Sequence, residues 1–63
     1  MLRARSKEKR RRAILDAAAA LLAQRSYDKV VLDDVAAAAE VAKGTVYLYF
    51  DNKEHLYLTL VRE

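Results

Sequence analysis

Two short apolar patterns at helical spacing, with only Glu40-Val41-Ala42 between them, constrain this chain more than any other feature. Leu32, Val35, Ala36 and Ala39 recur at i, i+3, i+4 and i+7, which gathers them on one face of a helix over Leu32 to Ala39. Lys43 to Tyr49 predicts a second helix, in which Val46 and Phe50 share a face at i and i+4. Thr45, Leu48 and Tyr49 point elsewhere, and Tyr47 lies on a flank. This helix can therefore bury Val46 and Phe50 while turning Lys43 and hydroxyl groups outward. Small residues at Ala36 and Ala39 let the pair approach closely. Two short helices, a connection of about three residues and an apolar residue at its centre have the spacing of a helix-turn-helix. An ordinary helical hairpin in a bundle fits the same spacing. An amphipathic helix with a tyrosine-rich surface fits the Lys43–Phe50 run.

The flanking segments extend the helical pattern. Ser6 is a suitable N-cap for a first helix, whose stripe is Ile14, Ala17, Ala18, Leu21 and Leu22. That helix is expected to end near Arg25-Ser26, with Tyr27 and Asp28 making the connection and Tyr27 plugging the end of the core. Its first turns carry basic residues, which the helix dipole disfavours, so fraying is expected before about residue 9. Asp33 and Asp34 suit the start of the second helix for the same reason. Asn52 caps a last helix with Leu56, Tyr57, Leu60 and Val61 on one apolar face. The pattern still runs at Glu63, with no Gly or Pro to stop it, so this helix is expected to continue.

Composition narrows the partner. The chain has one glycine, no proline and no cysteine in 63 residues. It is long enough for one all-α domain with a small core, and it has no disulfide or thiol chemistry. Net charge is only +3, but Arg3, Arg5, Lys7, Lys9, Arg10, Arg11 and Arg12 crowd the start and are opposed there by Glu8 alone. A basic arm on a small domain points to a polyanion. The longest apolar stretch, Ala17 to Ala23, is far below the roughly 20 residues of a membrane span. Asp16 before it and Gln24-Arg25 after it also argue against a signal peptide. His55 is the lone histidine and reads as a surface residue. Asp33 and Asp34 are adjacent and diverge on a helix, so they are no catalytic pair. No metal site, cofactor or catalytic constellation is expected. Two other classes compete with nucleic-acid binding: a basic amphipathic helix on a membrane or calmodulin-like partner, and a helical protein-interaction module. The first leaves Lys43 to Lys53 unexplained, and the second would show no salt-dependent DNA binding.

The pattern Ile14-Leu15-x-Ala17-Ala18-x-x-Leu21-Leu22, Tyr27-Asp28, Asp34-Val35-Ala36, Val41-x-Lys43-Gly44-Thr45-Val46-Tyr47-x-Tyr49-Phe50 and Asn52-Lys53-Glu54-x-Leu56 resembles the N-terminal DNA-binding domain of the tetracycline-repressor (TetR) family. The likeness runs from about Arg12 to Val61. It implies a three-helix helix-turn-helix domain followed by the start of a fourth helix. It assigns residues 1–63 to that domain, with a basic arm at 1–12. The ligand-binding and dimerisation domain that follows in the family is missing from these residues. The implied function is sequence-specific binding of double-stranded DNA by a cytoplasmic, ligand-responsive, non-enzymatic repressor. That repressor would be a homodimer on a palindromic operator. Position by position, Lys43, Gly44 and Thr45 fall where family members touch base edges and nearby phosphates. Tyr47 matches a tyrosine that packs on the DNA backbone or a thymine methyl. Tyr49 and Lys53 match phosphate contacts, and Arg5 and Lys7 of the arm are further candidates.

Four residues depart from the family pattern. Ser26 replaces the usual glycine, at a cost if φ is positive there. Val31 replaces a threonine cap of the second helix, and Ala42 replaces a serine cap of the third. Glu40 stands where glycine usually makes the turn, and is strained if that site is left-handed.

Overall fold

The computed structural model describes residues 2–63, with side chains from Lys7 onward. Four α-helices make up the described chain: α1 (Leu2–Gln24), α2 (Leu32–Ala39), α3 (Lys43–Tyr49) and α4 (Lys53–Arg62), with a single 3-10 turn at Tyr27–Lys29. The spacing-based bounds of α2 and α3 agree with this. The start of α1 does not. A start after Ser6 is corrected: the backbone is helical from Leu2. Arg, Lys, Glu and Ala are strong helix formers, and neither Gly nor Pro interrupts them. Their summed propensity outweighs a dipole penalty that exposure and salt keep small.

α1 packs against both α2 and α4, so its buried surface is wider than one stripe. Leu15, outside the predicted stripe, is as fully buried as Ile14, whereas Leu21 and Leu22 are only half-buried. Ala17, Ala18, Leu32, Val35, Ala36, Val46, Phe50 and Leu56 complete the core with Val30. Val30, not Tyr27, fills the connection after α1. Tyr27 instead stands half-buried with its ring edge-on to Tyr57, centroids 5.0 Å apart. In α4, Leu56 is buried and Leu60 packs against the core, but Tyr57 and Val61 are exposed. The predicted four-residue apolar face is thus half used.

The α2–α3 turn fixes how α3 is presented. Val41 N–H donates to the Ala36 carbonyl at 3.0 Å and Glu40 N–H to that of Ala37 at 3.2 Å. This pair of bonds is a Schellman ending, and half-buried Val41 supplies its apolar contact with the core. The ending demands a left-handed residue, and Glu40 takes it, at φ 61° and ψ 41°. A side chain with a Cβ is disfavoured there by roughly 1–2 kcal/mol. Ser26, by contrast, has φ −68°, so its replacement of glycine costs nothing. Val31 and Ala42 precede their helices without any side-chain cap. α4 begins differently. Asn52 Oδ1 accepts from His55 N–H at 2.8 Å, and His55 Nδ1 accepts from Asp51 N–H at 3.1 Å.

Candidate nucleic-acid interface

Helix α3 separates its side chains cleanly by direction. Val46, and Phe50 which ends the helix in an extended conformation, are 0% and 2% exposed, so its inner face is anchored. With about 100° per residue, Gly44 and Leu48 fall on the opposite side, flanked by Thr45 and Tyr47. Tyr47 and Leu48 are exposed, Thr45 is half-buried, and a Cβ placed on Gly44 would meet nothing within 4 Å. The outer surface of α3 is thus held by its inner one and left open to solvent.

Charge surrounds this surface. Lys43 is exposed, and its Nζ lies 3.0 Å from Asp33 Oδ1 of α2. The hydrogen bond to Asp33, and then the charge of Asp33, hold the lysine's pKa above its ordinary value, so it stays cationic. Asp34 pairs instead with Arg25 at 2.8 Å. Both aspartates at the start of α2 therefore face cations as well as the helix dipole. Tyr47 and Lys53 border one open cleft, shared with Val31, Asp33, Asp51 and Asn52.

The other predicted site residues fall into three settings. Tyr49 is half-buried and packs against the core, its ring 6.5 Å from that of Phe50. Lys53 is also half-buried: its Nζ donates to the Tyr27 carbonyl at 2.9 Å and lies 4.3 Å from the centre of the Tyr27 ring. Its ammonium already has a partner within the fold. Lys7 is exposed on α1. Arg5 belongs to the same helix by its backbone, but its side chain lies outside the described residues. Further along α1, Glu63 holds Arg11 at 2.6 Å and Arg12 at 2.5 Å. The Arg11 hydrogen bond, then that of Arg12, keep the Glu63 carboxyl below the usual carboxylate range. Sequence reasoning gave no role in the site to two residues that the structure sets beside it. Asp33 steers Lys43, and Leu48 is the most exposed large apolar residue among those whose side chains are described.

An exposed face with hydroxyls on its flanks on the second helix of a helix-turn-helix, beside Lys43 and Lys53, suits a polyanion. The family model described as "Bacterial regulatory proteins, tetR family" matches residues 14–60. The chain belongs to that family. Regulators of this family are DNA-binding transcription factors and not enzymes. Its curated TetR-family relatives agree. It is 43% identical over 63 residues to the HTH-type transcriptional repressor KstR of Rhodococcus jostii, covering 98% of this chain and 30% of the relative. It is 42% identical over 50 residues to the fatty acid metabolism regulator protein of Bacillus subtilis, covering 79% of this chain and 26% of the relative. The chain thus spans about a quarter to a third of the length of these relatives. No solved structure matches it.

Proposed function

We propose that residues 1–63 are the operator-reading domain of a TetR-like repressor and that α3 enters the major groove of its operator. The split of α3 carries this reading: Val46 and Phe50 lock the helix to the core, and Lys43, Gly44, Thr45 and Tyr47 are turned outward. These four read base edges and the nearest phosphates. Tyr49, Lys53, Arg5 and Lys7 serve the sugar-phosphate backbone, with residues 1–12 as a basic arm. Lys53 gives one ammonium donor to the Tyr27 carbonyl and keeps two others for a phosphate at the cleft beside Tyr47. In the whole protein, a following domain binds a small effector and pairs two copies. The dimer then spans a palindromic site in the cytoplasm, with half-sites about 34 Å apart.

A membrane-surface role for α1 has less support. Ile14, Leu15 and Ala18, which would have to enter the lipid, are buried in the core. Among the described residues no helix is long and apolar enough to cross a membrane.

Titration of a duplex with this chain at low and high salt tests the proposal. A single reading head should bind most duplexes with Kd of about 10⁻⁴–10⁻⁶ M. Log K should fall by about 0.9 per phosphate neutralised for each tenfold rise in salt. With four to six phosphates in reach, the slope becomes roughly four to five. No binding at low salt, or binding indifferent to salt, would remove DNA from the account.

A further inference from the structure

We infer that Leu48 reads the 5-methyl group of a thymine in the major groove. Leu48 is 82% exposed and is neither in the core nor among the residues packed against it. It follows Val46 by two residues, about 200° around the helix, and Val46 is fully buried. Leu48 therefore points straight away from the domain. Gly44 lies one turn earlier on the same stripe, where the space a Cβ would enter is empty. The outermost line of α3 is thus smooth and apolar, with the Thr45 and Tyr47 hydroxyls on its flanks.

This placement restricts what can face it. The inference rests on the reading of α3 as the helix that enters the groove. Base edges in the major groove present donors, acceptors and one apolar group, the thymine methyl. Leucine offers no hydrogen bond, so against guanine, cytosine or adenine it would cover a polar edge and leave it unpaired. Against thymine it exchanges two hydrated apolar surfaces for one contact. Leu48 lies near the C-terminal end of α3, so it addresses a different base from Lys43 and Gly44 at the helix start. The half-site is thereby assigned a thymine at that base, on one strand or the other.

The test starts from duplexes selected by the wild-type 63-residue chain out of a random pool. Each thymine of the selected site is replaced in turn by deoxyuridine, which removes only the methyl. One replacement should weaken wild-type binding about three- to fivefold, the worth of one buried methyl. Leu48→Ala should lose a similar factor on the thymine duplex and be indifferent to that replacement, while Leu48→Met keeps the sensitivity. Thermal melts of both variants should match wild type, because Leu48 packs on nothing. A selected site without thymine, uniform indifference of the wild type to uracil, or full sensitivity retained by Leu48→Ala would each overturn the inference. If the wild-type chain binds no duplex, the reading of α3 fails as well. If it binds and selects but ignores the methyl, only the role of Leu48 fails.

Discussion

The two faces of α3 do different work although they alternate along only seven residues. The inner face is apolar, fully buried and joined to residues from α1, α2 and α4. The outer face holds a glycine, a lysine bound to Asp33, an exposed tyrosine and an exposed leucine, and it contributes almost nothing to packing. Under the proposed reading, stability and recognition are therefore separable here, residue by residue. A helix this short is marginal by itself in water, so its outer face exists only because its inner face is bound.

Breaking the inner face should produce the largest effect. Phe50→Ala removes a ring that is 2% exposed and should cost about 3–5 kcal/mol, enough to unfold a domain with so small a core. Loss of the cooperative helical melt by circular dichroism is the expected readout. The turn that aims α3 should respond in the opposite sense. Glu40→Gly relieves a left-handed residue and should stabilise the fold by about 1 kcal/mol, raising the melting temperature.

Changes on the outer face should leave stability nearly alone and act on binding. Gly44→Ala should stabilise α3 by up to about 1 kcal/mol, since the added Cβ meets nothing in the free protein. It should nevertheless weaken duplex binding, because it thickens the surface that approaches the bases. Tyr47→Ala should change stability by no more than about 0.5 kcal/mol and reduce duplex affinity clearly. If Tyr47→Ala unfolds the chain and Phe50→Ala does not, the two faces are exchanged.

The smallest expected effect lies away from α3, in the contact between α1 and α4. Glu63 has its pKa lowered from 4.5 by Arg11 and Arg12, so its contribution is present above that value. It is lost as the pH falls through the lower, folded value. Being solvent-exposed, the pair should shift the acid side of the stability profile only slightly, and Glu63→Gln should remove that part of the pH dependence.

Periodicity read α2 and α3 correctly because both are amphipathic, bounded by non-helical residues, and dependent on packing in the ordinary way. It failed where the signal was of another kind. Ser6 looks like a cap, yet strong helix formers on both sides carry the helix through it. Val30 belongs to no repeat, so nothing in the sequence marks it as core. Tyr57 and Val61 have the right spacing, but α4 turns only Leu56 and Leu60 inward. The directions of Gly44, Thr45 and Tyr47 were legible because they follow from the position of Val46, whereas Lys43 lies one turn before Val46 and is exposed because it opens the helix. The site was less legible at Lys53, whose partner is a carbonyl 26 residues away. Leu48 was visible as pointing elsewhere, but only its 82% exposure shows how fully it is presented.

The division of α3 is tested most directly by nuclear magnetic resonance of the isotope-labelled chain, titrated with duplex at low salt. The largest shift changes should fall on Lys43, Gly44, Thr45, Tyr47 and Leu48, with smaller ones in the basic turns of α1. Val46, Phe50 and the outer side of α4 at Leu58 and Val61 should move little. Changes centred on Leu58 and Val61, or a spectrum unmoved by duplex, would contradict the assignment of DNA reading to the outer face of α3.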